Sequence, residues 1–292
     1  MKWEGGEESQ NVEDRRGMGG STLMAGGGGI VVLILALVFG VSPSTITRFL
    51  GNGGSPGGTN SSSPQDTGLK RVNPQQDQLA KFTSIIFHDT EVIWDDLFQK
   101  MGKQYPKPTL VLFSDQVNSA CGSADAAVGP FYCPGDNKVY IDLSFYADMQ
   151  RKLDAPGDFA RAYVVAHEVG HHVQGLLGYA DRANQIRKSA DSVEAHHQSV
   201  RLELQADYFA GVWAYHAQKR YNFLEKGDVE TALKAAFEIG DDRLQKKARG
   251  TVVPDTFTHG TSKQRMTWFN KGFTTGDVQG AAALFDLPYE KL

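Results

Sequence analysis

Cysteine is nearly absent from this chain of 292 residues: only Cys121 and Cys133 occur, twelve positions apart around a glycine-rich stretch. A pair with no third cysteine makes a poor zinc ligand set, so metal chemistry would have to come from histidine and carboxylate. Outside a reducing compartment the natural reading of the pair is a disulfide, and closing so short a loop contributes about 3 kcal/mol on a chain-entropy account. An excess of positive charge is also lacking. The 30 Lys and Arg stand against 34 Asp and Glu, a net charge of −4 that gives no sign of a nucleic-acid partner. From Gly17 to Thr47 charged residues are missing altogether, and from Gly51 to about Pro74 apolar ones almost are.

The charge-free window holds a dense apolar run, Ile30 to Val41, which small residues extend back to Leu23. Its 19 residues from Leu23 to Val41 come close to the ~20 that a helix needs to cross a bilayer. The leader before it carries several acids, and no clear A-x-A site follows, which favours an uncleaved anchor over a signal peptide. Arg15 and Arg16 precede the run, whereas only Arg48 lies close beyond it. By the positive-inside bias, residues 1–22 read as a cytoplasmic tail and the rest as extracytoplasmic. Residues 23–42 then form one transmembrane helix, and 43–77 a flexible Gly/Ser/Pro linker. The folded domain runs over 78–292. A single-pass membrane protein with a periplasmic or extracellular domain is the expectation.

Within the domain, the apolar stripe from Leu79 to Phe98 predicts a helix over 78–101, and Thr109 to Phe113 a strand. Val128–Tyr132 and Lys138–Leu143 read as a hairpin across Pro134-Gly135-Asp136-Asn137. Val164 to Gln174 reads VVAHEVGHHVQ. On a helix, His167 and His171 at i and i+4 share a face and can bind one tetrahedral zinc, with Glu168 beside the open metal position. Asp158 is the candidate N-cap of this helix, and Gly175 and Gly178 are its candidate stops. The competing reading is a buried helix whose histidines only satisfy core hydrogen bonds, so context has to decide.

Asp181 to about Tyr221 predicts two helices or one kinked helix. In RLELQADYFAGVW, Glu203 and Asp207 are again i and i+4, surrounded by apolar residues. Glu203, 32 residues past His171, is placed to return as a third ligand. Asp207 is placed to accept a hydrogen bond from the outer nitrogen of a ligating histidine. Glu194 is the fallback ligand. His196 and His197 lie in a polar, exposed-looking run, His172 points off the motif face, His88 reads as a surface or packing residue rather than a ligand, and His216 reads as structural. Residues 228–239 and 241–249 predict short helices, the first capped by Asp228 and stopped by Gly240. His259, in the loop PDTFTHGTS before a helix over about 263–271, is placed either to stabilise the oxyanion of a tetrahedral intermediate or to cap that helix.

From end to end the chain resembles the bacterial neutral zinc metallopeptidase family. The likeness lies in MKW…NVEDRRG, GPFYCPGDNKVYIDLSFY, AHEVGHHVQ, ELQADYFAGVW and HGTSKQRMTWF. The resemblance implies a membrane-anchored, zincin-like protein in which Glu203 matches the Glu of a gluzincin-like ExxxD motif; it supplies no substrate. The expected fold is α+β, mainly helical with a small, partly antiparallel sheet. The expected chemistry is peptide hydrolysis at a zinc held by His167, His171 and Glu203. Glu168 acts as the base on a water, and His259 is a second candidate catalytic residue. A peptide or protein substrate would pair with an edge strand, for which Val139–Leu143 is the candidate. The alternative is a zinc-binding, catalytically silent membrane protein.

Overall fold

A computed structural model describes residues 1–16, 74–114, 116–125, 129–152 and 157–292. The expected transmembrane helix at 23–42 and all but the last residues of the 43–77 linker lie outside them. Among the described residues, no helix is long and apolar enough to cross a membrane.

The elements run β1 (Val12–Asp14), α1 (Pro74–Lys100), β2 (Thr109–Phe113), β3 (Gln116–Ser119), β4 (Gly122–Asp125), β5 (Phe131–Cys133), β6 (Lys138–Asp142) and α2 (Ser144–Lys152). They continue with α3 (Asp158–Leu177), α4 (Tyr179–Arg187), α5 (Ser192–Tyr221), α6 (Asp228–Glu238), α7 (Asp241–Arg249), α8 (Ser262–Thr275) and α9 (Ala283–Asp286). A mainly helical body thus packs on a small mixed sheet of order β1-β2-β6-β5. β1, β2 and β6 are parallel neighbours, and β5 runs antiparallel to β6. Leu110 to Phe113 and Val139 to Ile141 are buried on both faces, as parallel interior strands require. β6 pairs on both sides, so the substrate edge expected at Val139–Leu143 is an interior strand. Among the described residues, the free edge on that side is β5.

Three strands escaped the sequence reading. β3 and β4 form a separate antiparallel hairpin, the second strand inside what reads as a glycine-rich loop. Cys121, at its turn, is disulfide-bonded to Cys133 at the end of β5. β1 falls in the segment expected as a tail. Leu110 N–H donates to Asn11 O at 2.8 Å and Arg15 N–H to Leu112 O at 2.8 Å. Ser9 Oγ and Asn11 Nδ2 donate to the buried Glu91 carboxylate on α1 at 3.1 and 2.6 Å.

The helix starts also differ from expectation. Gly157 and Gly227 cap α3 and α6 at φ 111° and 94°, a conformation an aspartate rarely adopts, and Asp158 and Asp228 are the first helical residues instead. Asp158 accepts from Trp3 Nε1 at 3.0 Å and from Arg161 at 2.9 Å. α4 and α5 are two separate helices, the second capped by the Asp191 side chain. Gly240 begins α7 rather than stopping α6 outright.

A fragment beginning at residue 75 therefore lacks an edge strand. Its Glu91 carboxylate loses both side-chain donors, and the apolar β2 becomes a bare edge. The expected cost is roughly 2–5 kcal/mol with a rise in soluble oligomers. Thermal unfolding and gel filtration beside the full chain check this; equal melting temperatures would contradict it.

Candidate metal centre

α3 and α5 meet at a point where no side chain intervenes. A Cβ built on Gly170 would lie 2.9 Å from Ala206 O and 3.1 Å from its Cα, so only glycine allows the two backbones this close. That contact lies between His167 and His171 on one helix and beside Glu203 and Asp207 on the other. Both helices carry apolar residues that are wholly buried, including Val165, Val169, Val173, Leu204 and Phe209. The polar residues therefore belong to helices that are largely buried.

There, His167, His171 and Glu203 come together with one ligand atom each, all within 4.8 Å of one another. His167 Nε2 stands 3.3 Å from Glu203 Oε2, and His171 Nε2 3.6 Å from Oε1. Two donors at zinc bond lengths and a tetrahedral angle sit about 3.3 Å apart, so the spacing fits one ion. The outer nitrogens are already engaged. His167 Nδ1–H donates to Asp207 Oδ1 at 2.9 Å. His171 Nδ1–H donates to Gln174 Oε1 at 2.9 Å, and Gln174 is itself oriented by donating Nε2–H to Leu202 O at 2.6 Å. Each inner Nε2 faces Glu203, and in the neutral ring it presents a lone pair there, the tautomer a metal requires.

The charges agree. Burial opposes a proton on His167, yet the Asp207 and Glu203 carboxylates outweigh it and push its pKa up to about 10. Burial alone would raise the Glu203 carboxyl, but His259, His171 and His167 hold it well below the usual range. The pocket thus favours a positive charge at its centre. Glu168 is 8% exposed and has no hydrogen-bond or ion-pair partner among the described residues. Next to a donor set, an unpaired carboxylate of this kind is available to a water or a substrate.

Besides Gln174, two participants were missed by the sequence reading. Arg265 on α8 grips Asp207 with two bonds, Nε to Oδ2 at 2.8 Å and Nη2 to Oδ1 at 3.0 Å. Tyr163 O–H donates to Asp207 Oδ1 at 2.5 Å. Burial would raise the Asp207 carboxyl, but Arg265 and His167 bring it down to about 2, so it stays an anion under His167. α8 reaches this position because Gly211 and Gly272 let it lie against α5, where Cβ atoms would come within 2.1 Å of Phe269 O and 2.0 Å of Tyr208 O. A capping box, Thr261 with Gln264, starts the helix.

The remaining candidates are distributed as follows. His259 receives the Asp241 carboxylate on its Nδ1 at 3.2 Å and on its backbone N–H at 2.6 Å, and its charge acts on Glu203. Glu194 accepts from Gln198 Nε2 and pairs with His197, in the first turn of α5. His172 Nε2–H donates to Pro106 O at 2.7 Å while its Nδ1 accepts from Tyr132 O–H at 3.0 Å, linking α3 to β5. Burial pushes its pKa down, consistent with a neutral ring. His196 and His216 donate to backbone carbonyls, of Asp255 and Gly276. His88 stands near Glu7 and Asp89.

Arg265→Met leaves a buried carboxylate uncompensated. The expected loss is roughly 3–5 kcal/mol of stability, with zinc affinity down about 10–100-fold; metal competition with a chromophoric chelator and thermal unfolding measure both. Gly170→Ala improves intrinsic helix propensity but forces α5 away from α3. Zinc affinity should drop at least about tenfold with helical content unchanged. Wild-type affinity in the alanine variant would show that the close approach does not matter.

The family model described as "Putative neutral zinc metallopeptidase" matches residues 1–283. The Escherichia coli (strain K12) protein named "Uncharacterized protein YpfJ" is 48% identical over 285 residues, covering 95% of this chain and 96% of its own length. "Uncharacterized protein Rv2575" of Mycobacterium tuberculosis (strain H37Rv) is 42% identical over 200 residues, 65% of each chain. No solved structure matches at a significant level. The family implies Zn2+, and the group formed by His167, His171 and Glu203 suits that ion. The chain belongs to the putative neutral zinc metallopeptidase family.

Proposed function

We propose that this chain hydrolyses peptide bonds in a peptide or protein substrate, using a zinc held by His167, His171 and Glu203. The observation that carries this reading is the convergence of two correctly oriented Nε2 atoms and one carboxylate beside the unpartnered Glu168. Zinc, when bound, supplies Lewis-acid polarisation of a carbonyl and lowers the pKa of a water. Glu168 accepts the proton of the attacking water and returns it to the leaving amine. His259, with Nδ1–H held by Asp241, has its Nε2 side free to donate to the developing oxyanion. Asp207, Arg265, Tyr163 and Gln174 hold the histidine rings in place and touch no reacting atom.

Substrate backbone pairs with the free edge of β5, which His172 and Tyr132 connect to the metal-bearing helix. The disulfide Cys121–Cys133 supports an oxidising compartment outside the cytoplasm. The apolar run at residues 23–41 supports attachment of the protein to a membrane.

Glu168→Gln should keep one zinc per chain and lose turnover of an unfolded protein substrate by at least about 10³-fold. Glu203→Ala should lose the metal itself. A Glu168→Gln protein that cleaves as fast as the parent would sink the hydrolytic assignment and leave a zinc-binding protein. His259→Ala should lower kcat about 10²-fold with zinc content unchanged; equal kcat would remove His259 from the chemistry.

A further inference from the structure

The first sixteen residues occupy a built slot in the metal-bearing domain. Both carboxylate oxygens of Glu91, a residue 1% exposed on α1, take their hydrogen bonds from Ser9 and Asn11. Remove the segment and a buried anion loses both. Gly6 is pressed onto the same helix, where a Cβ would lie 2.5 Å from Ile85 Cγ2. The Trp3 ring packs edge-on against Phe82 with centroids 5.3 Å apart, and its Nε1–H donates to Asp158 at the start of α3. Val12 to Asp14 close the outer edge of β2, whose Leu110 to Phe113 are at most 2% exposed. Glu13 also accepts from Lys138 on β6, two strands in.

The chain leaves this slot and re-enters the fold at one corner. Arg16 Nη1 donates to Gln76 O at 2.9 Å and stands 3.2 Å from Asp77, in the first turn of α1. The basic residues that suggested a cytoplasmic tail have local uses: Arg15 pairs with Glu13, and Arg16 with Asp14 and Asp77.

From this we infer that residues 1–16 and the metal-bearing domain lie in the same compartment, as one folded unit. A chain crossing a bilayer once between Arg16 and Pro74 would put β1 and β2 on opposite sides of about 30 Å of hydrocarbon. Strands that pair must lie about 4.8 Å apart. The two arrangements exclude each other, so on this inference residues 1–16 are not a tail on the far side of a membrane from the domain. The N-terminal segment travels with the disulfide-bearing domain, wherever that domain is.

The inference is independent of the peptidase reading and is tested on the full chain in cells. Glu8→Cys and Glu230→Cys place one thiol on an exposed position of each part, while Cys121 and Cys133 are consumed in their disulfide. A membrane-impermeant maleimide, applied before and after lysis, should label the two variants alike. Labelling of one in intact cells and of the other only after lysis would overturn the proposal. A second measurement uses purified protein with a site-specific protease sequence inserted after Gly58. After complete cleavage, the N-terminal piece should co-elute with the domain and separate only in denaturant. Its release under native conditions would likewise overturn the proposal.

Discussion

Helix α3 touches helix α5 backbone to backbone at Gly170, and the metal site is a consequence of that contact. With a side chain there, Glu203 would stand back from His167 and His171, and the three donor atoms would no longer fit a single ion. The Gly211 and Gly272 contact does the same for α8, setting the Arg265 guanidinium against Asp207. Ligands, their hydrogen-bonding supports and the cation that balances them thus come from three helices packed closer than side chains permit. Packing density here is a geometric requirement of the chemistry rather than only a source of stability.

Electrostatics then keeps the site in one protonation pattern. Asp207 is buried among apolar residues and would tend to be neutral, but the Arg265 fork and the His167 Nδ1–H hold it ionised. An ionised Asp207 accepts from His167 and so turns the inner nitrogen into a donor of electrons. On His171 the same task falls to a neutral amide, Gln174, pinned by the Leu202 carbonyl. One candidate ligand is therefore backed by an anion and the other by a dipole.

Much of this was legible in the chain because it is local. HExxH and ExxxD place their members one helical turn apart, and the apolar neighbours of Glu203 and Asp207 marked them as facing inward. Arg265 and Gln174 were not legible, since an arginine in SKQRMTW and a glutamine in HHVQG gain their roles only from what folds against them. β1 was hidden for a similar reason: VED has no strand pattern and is extended because the apolar edge of β2 needs a partner. Asp158 and Asp228 were misplaced by one residue because a preceding glycine took the left-handed position at the helix start.

The sheet ends differently on its two sides. At β1 the chain closes its own edge, while among the described residues β5 remains open but is only Phe131 to Cys133 long, fixed at Cys133 by the disulfide and at Tyr132 by His172. So short an edge offers a guest chain two or three main-chain hydrogen bonds, each worth about 1 kcal/mol net. That is too little to capture a stranger's strand and start an aggregate, and too little to hold a product after cleavage. Under the proposed function, brief residence would follow from the length of β5, and any lasting preference among polypeptides would have to come from side-chain contacts on either side of the cut.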